Sequence, residues 1–88
     1  MKIAVFPGSF DPVTLGHLDI IRKSEKIFDQ IIIAIGENDT KKSFFPTDKK
    51  KQMLEKIFDG NKKISIKKYN TLTVEFCKKN NVKFIIRG

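Results

Sequence analysis

Five consecutive apolar residues, Ile31-Ile32-Ile33-Ala34-Ile35, lie between Gln30 and Gly36. The run is too short for an ordinary helix and far too short to span a membrane. It is almost entirely β-branched and lacks polar alternation, so both faces of the strand it forms have to be covered. Such a strand belongs inside a parallel sheet with helices packed above and below it. The rest of the chain must then supply more strands and the helices between them.

Ile3-Ala4-Val5-Phe6 is a second apolar run and predicts strand one over residues 2–6. Leu18, Ile21 and Phe28, spaced three and seven apart, predict helix one over 15–28 with a single apolar stripe. After strand two (Gln30 and 31–35), residues 36–46 read as a polar loop rich in turn formers. Thr47 is expected to cap helix two, with Asp48 complementing its dipole, Met53, Leu54, Ile57 and Phe58 facing inward, and Gly60 stopping it. Ile64-Ser65-Ile66 alternates among lysines, which suits an edge strand. Thr71 is expected to cap helix three, with Leu72, Val74, Phe76 and Cys77 inward. Asn80-Asn81 ends that helix, and residues 82–86 form strand four. This alternation requires right-handed crossovers. The expected fold is a Rossmann-like α/β parallel sheet of strand order 3-2-1-4 with helices on both faces.

The turn between strand one and helix one, Pro7-Gly8-Ser9-Phe10-Asp11-Pro12-Val13-Thr14-Leu15-Gly16-His17, holds two glycines, two prolines, two hydroxyls and the chain's one histidine. Thr14 stands where an N-cap belongs, so the first helical turn points its N–H groups into this bend. With the partial positive charge of a helix start, that makes an anion site. Gly16 leaves out a Cβ where a ligand would approach the backbone, and His17 sets an imidazole beside it. Neither the GxGxxG nor the GxxxxGK[ST] phosphate pattern is present. In a 3-2-1-4 sheet, ligands bind at the carboxyl ends of strands one and four. Ser9, His17, Lys41 and Arg87 are expected to converge there.

A formal charge of +8 favours anionic ligands. The lysines are scattered over several elements among acids, and the aromatics are mostly phenylalanines at inward positions, so the pattern is not that of a nucleic-acid groove. The single Cys77 allows no internal disulfide and no cysteine-based zinc site, and it reads as a small hydrophobe. No signal-peptide core and no membrane span is apparent, which places the expected location in the cytoplasm, away from membranes.

Gly8-Ser9-Phe10-Asp11-Pro12 followed by Thr14-Leu15-Gly16-His17 resembles the G-[ST]-F-D-P…[TH]-x-G-H signature of the nucleotidyltransferase superfamily. Lys41-Lys42-Ser43-Phe44-Phe45 and Ile85-Ile86-Arg87-Gly88 are similar to the K-K-x-x-F loop and the I-R-G strand end of the bacterial phosphopantetheine adenylyltransferases. The resemblance implies transfer of AMP from ATP to 4′-phosphopantetheine, giving dephospho-coenzyme A and pyrophosphate. It implies His17 and Lys41 at the α-phosphate. Ser9, Phe10, His17 and Gly88 would bind ATP, and Ser9, Lys41, Thr73 and Arg87 the acceptor substrate. Mg²⁺ would be bound through the ATP phosphates, with no protein metal ligands, and the oligomer would be a homohexamer. Lys42 could take the part given to Lys41, and Asp11 reads as a turn holder rather than a metal ligand.

The resemblance covers the whole chain but about the first half of such an enzyme. Residues 1–88 are therefore expected to be the N-terminal part of a single nucleotidyltransferase domain. A chain of this extent would have little turnover by itself, and an unpaired edge on strand four would favour association. Two alternatives stand beside this reading. One is another nucleotidyltransferase, a nicotinate-nucleotide adenylyltransferase or a cytidylyltransferase; the other is a non-catalytic nucleotide- or RNA-binding module.

Overall fold

A computed structural model describes residues 1–10, 13–37 and 46–87. Its strands are β1 (Ile3–Gly8), β2 (Gln30–Gly36), β3 (Ile64–Tyr69) and β4 (Phe84–Ile85), and its helices are α1 (Leu15–Ser24), α2 (Thr47–Ile57) and α3 (Thr73–Lys79). The strands form one parallel sheet in the order β3-β2-β1-β4. Ile31 pairs with Ala4 on one side and with Ile64 on the other, so the isoleucine run is a central strand.

Because successive side chains along a strand point to opposite faces, the sheet divides its apolar residues between two cores. Ala4, Phe6, Ile31, Ile33, Ile35 and Ile64 face one layer, where Ile21 of α1 and Leu54 of α2 close over them. Val5, Ile32 and Ala34 face the other, covered by Phe76 and Cys77 of α3 and by Val82. Each isoleucine buried in full contributes about 1.5–3 kcal/mol relative to an exposed one. The run 31–35 is almost wholly shielded, with Ile32 at 7% the most accessible of the five.

Several elements differ from their sequence-based bounds. β1 runs on through Pro7 and Gly8, because both remain in register with β2. Pro7 lacks an N–H, and it sits at the strand's far end, where a missing donor matters least. Helix α1 stops at Ser24, not at residue 28. The Ser24 hydroxyl donates to the Ile20 carbonyl at 2.7 Å, and the next residues form a turn that leaves Ile27 exposed while Phe28 packs from outside the helix. β3 extends to Tyr69, because β2 offers partners as far as Gly36.

β4 is a two-residue edge strand, shorter than residues 82–86. Val82 and Ile86 are buried beside it, whereas Phe84 and Ile85 are partly exposed. Thr47 and Thr71 are not the caps. Pro46 and Leu72 occupy those positions, and neither gives a side-chain cap bond. Of the apolar faces expected, Leu54, Phe58, Phe76 and Cys77 turn inward, while Met53, Ile57, Leu72 and Val74 face out.

Candidate active site

The turn from β1 into α1 is built around two aromatic rings. Phe10 adopts a φ of 49°, a left-handed conformation that is costly for a bulky residue. In return its ring is driven under the turn, where it is buried and meets Phe6 edge-on at 5.4 Å between centroids. Gly8 is needed for this packing. A Cβ there would stand 3.1 Å from the Phe10 ring.

On this aromatic floor lies His17, its ring centroid 5.0 Å from that of Phe10 and 5.9 Å from that of Phe6. Thr14 caps α1, as its place in the sequence predicts. Its hydroxyl oxygen accepts from the His17 N–H at 3.3 Å, and its own N–H donates to His17 Nδ1 at 2.9 Å. This is a capping box with histidine in the position usually held by Glu or Gln. A nitrogen that accepts an N–H carries no proton, so the ring proton sits on Nε2. The cap thereby leaves an imidazole with one donor, on the nitrogen turned away from Thr14.

A depression of about 340 Å³ opens here, lined by Phe6, Pro7, Thr14, Gly16, His17 and Ile20. Its size falls within the range of small-molecule sites. Helix α1 has no acidic residue in its first turn, so nothing there offsets its positive N-terminal end. Among the described residues, a Cβ added to Gly16 would meet only Thr14 Oγ1, at 3.5 Å. A depression of similar volume, about 350 Å³, lies at the amino ends of β1 and β4, where Asn81 and Lys83 are its only polar side chains. The chemistry therefore favours the carboxyl rim.

Ser9 is exposed, directly after β1. The ring of Phe10 is buried, which leaves its backbone as the part that could meet a ligand. Arg87 is exposed and follows Ile86, whose N–H donates to the Val5 carbonyl at 2.8 Å, so Arg87 stands at the carboxyl rim beside the end of β1. Thr73 begins α3 across the sheet's other face, its hydroxyl 3.1 Å from that of Tyr69. By topology Ser9, His17 and Arg87 all lie on the carboxyl side of β1, but of the three only His17 lines the depression, and Thr73 lies next to β3. Lys41 and Gly88 lie outside the described residues. The sequence reading missed the part played by Phe6 and Phe10 as a floor for the imidazole. It also missed the hold of Thr14 on Nδ1, which the Thr-x-x-His spacing could have signalled.

Among the described residues no three His, Cys, Asp or Glu side chains group to hold a metal ion, and no helix is long and apolar enough to cross a membrane.

A family model described as cytidylyltransferase-like matches residues 5–88. The chain belongs to the cytidylyltransferase-like family. A phosphopantetheine adenylyltransferase of Christiangramia forsetii is 49% identical to it over 88 residues. That match takes in all of this chain and 58% of the relative, so the chain spans little more than half the length of the curated relatives it matches. Among solved structures, a bifunctional NMN adenylyltransferase/ADP ribose pyrophosphatase from Francisella tularensis, complexed with AMP and a manganese ion, superposes with a TM-score of 0.67 at 26% identity. It covers 88% of this chain and 25% of that one. NadR in complex with NAD and AMP-PNP superposes with a TM-score of 0.75 over 94% of this chain and 28% of its own, and at 18% identity that likeness speaks for the fold alone.

Proposed function

We propose that the chain forms the phosphate-binding part of an adenylyltransferase that moves AMP from ATP to 4′-phosphopantetheine, in the making of coenzyme A. In this reaction a phosphate oxygen of the acceptor attacks the α-phosphorus of ATP. The bond to the departing pyrophosphate breaks as the new P–O bond forms, and dephospho-coenzyme A results. No protein nucleophile is needed and no proton has to be moved. The protein's task is to align two anions that repel each other and to offset charge developing on the α-phosphate.

The single observation that carries this reading is the locked imidazole, held by Thr14 beside a helix start with no acid in its first turn, its Nε2–H without a partner among the described residues. His17 would give that hydrogen bond to the α-phosphate. Ser9 would donate to ATP or to the acceptor phosphate, and the backbone of Phe10 would line the nucleotide's path. Arg87 suits the acceptor phosphate, because a guanidinium binds phosphate oxygens as a two-pronged fork. Lys41 would add a point charge at the α-phosphate and the acceptor, Gly88 would border the nucleotide, and Thr73 would touch the pantetheine arm. Mg²⁺ would arrive on the triphosphate, where it neutralises phosphate charge. The reading carries with it a cytoplasmic homo-oligomer.

The test is steady-state kinetics on the whole protein that carries this chain. His17→Ala should lower kcat by about 10²–10³ while the affinity for ATP falls by much less, since the lost interaction belongs to the transition state. Equal losses in kcat and in ATP affinity would refute the assignment. The likeness to the Francisella NMN adenylyltransferase keeps one other nucleotidyltransferase reading open, with NMN or a related mononucleotide such as nicotinate mononucleotide as acceptor. Direct binding of 4′-phosphopantetheine against nicotinate mononucleotide decides between them. A module that only binds RNA would be indifferent to His17→Ala and steeply sensitive to salt.

A further inference from the structure

A backbone outlier lies directly against the histidine. Phe10 is held at a φ of 49°, where a bulky residue rarely stays, while the residue is only 3% exposed. Such a conformation persists only where the surrounding packing outweighs its cost. The packing here is three rings in mutual contact. Phe10 meets Phe6 at 5.4 Å and His17 at 5.0 Å, and Phe6 meets His17 at 5.9 Å, each pair tilted or edge-on. Thr14, in contrast, reaches the imidazole at one atom only, its N–H at 2.9 Å and its hydroxyl at 3.1 Å both meeting Nδ1. Two contacts on a single nitrogen decide where the ring proton sits. They leave the ring free to swing about that nitrogen, and a swing displaces Nε2, which lies across the ring from it.

We propose that Phe10 is a positioning residue, whose ring, kept under the turn by its left-handed backbone, sets the direction in which His17 presents Nε2–H to the phosphate. The inference rests on the adenylyltransferase reading above. It assigns part of the site's geometry to a side chain that meets no ligand, since Phe6 and His17 line the depression and the Phe10 ring does not. Tilted aromatic contacts suit the task, because their attraction depends on the angle between the rings as well as on the area they bury. Gly8 belongs to the same device. It is paired with Ile35 in β1 and lies outside the left-handed region, so what it contributes is room. A Cβ there would stand 3.1 and 3.3 Å from two ring carbons of Phe10, close enough that the ring would have to shift.

The experiment is turnover of ATP and 4′-phosphopantetheine by the whole protein that carries this chain. Phe10→Leu keeps the backbone groups and an apolar side chain but has no ring. It is expected to lower kcat about tenfold or more, as for a misplaced group, while KM for either substrate moves less than about twofold. Gly8→Ala keeps every ring and displaces that of Phe10. It should lower kcat in the same way by about threefold or more, and it carries the test if Phe10→Leu does not fold. In a His17→Ala background neither substitution should cost anything further, because both act through the imidazole. A merely structural role predicts equal losses with and without His17. Unchanged kcat in either folded variant, a loss borne by KM, or an equal loss in the His17→Ala background would overturn the inference and leave the adenylyltransferase reading intact. A native protein with no turnover would overturn both.

Discussion

The two glycines of the first turn do different work, and the space around each tells them apart. At Gly8 a methyl group would strike the Phe10 ring, so this glycine serves the packing of the chain itself. At Gly16 a methyl group would meet, among the described residues, only Thr14 Oγ1, at the ordinary contact distance of 3.5 Å, so their packing places no demand on that position. Gly16 is moreover helical, where alanine is preferred by as much as about 1 kcal/mol. A glycine that stability disfavours, beside an imidazole donor, fits the proposed reading in which a ligand approaches the backbone there. Gly16→Ala is therefore expected to leave the melting temperature unchanged or raise it by several degrees. Its affinity for ATP, read by calorimetry on the whole protein, should fall about tenfold, a loss of about 1.4 kcal/mol. Unchanged affinity would make Gly16 an ordinary helix residue. The glycines and His17 stand out in the sequence by type and spacing, whereas the left-handed Phe10 does not. Its conformation is set by where its ring can be buried, which no local pattern records.

Among elements, those whose burial is unambiguous were readable and those whose ends depend on neighbours were not. The run 31–35 announces a central strand, and the expected order 3-2-1-4 is the one found. The caps of α2 and α3 were misplaced, because Thr47 and Thr71 have the right chemistry but stand one residue from the change of backbone conformation. Leu72 and Val74 match an inward face by type, yet on a helix of seven residues α3 buries only Phe76 and Cys77. Lys68 reads as a surface lysine on an edge strand, and only the tertiary fold shows that it meets α2 and the end of β2.

The Lys68 ammonium stands 2.6 Å from Asp48 Oδ1, and this ion pair gives a signed pH dependence. Asp48 is held below its ordinary value of 3.8, chiefly by the hydrogen bond from Lys68, so its contribution is present above 3.8 and fades as pH falls through the lowered value. Lys68 is raised above 10.5 by the same bond, so its contribution is complete below 10.5 and fades as pH climbs past the raised value. Asp48→Asn should melt slightly below the parent between about pH 5 and pH 9 and converge with it at both extremes. Thermal melts across pH check this, and a gap that does not narrow as pH falls below 3.8 would show that Asp48 acts through something other than its charge.

For the molecule as a whole, the question is whether its charge of +8 acts as a diffuse field or through one place. A field alone would draw any polyanion to the scattered lysines, with an affinity that falls steeply with salt and ignores single neutral substitutions. The layout of the chain argues for one place. The parallel sheet brings the end of β1, the start of α1 and the residue after Ile86 to one rim, where a helix start without a first-turn acid meets the imidazole of His17. A ligand bound only by the folded state stabilises by about 2.7 kcal/mol at a hundred times its Kd. In a domain of this size, that is a shift on the order of 10 °C. Tripolyphosphate, which carries the charge of a nucleotide's phosphates without base or ribose, isolates the effect. At moderate salt it is expected to raise the melting temperature of the whole protein that carries this chain, and Gly16→Ala, which keeps all of the charge, should lose most of that rise. A rise of equal size in both proteins would assign the binding to the overall charge and remove the β1–α1 turn as the phosphate site.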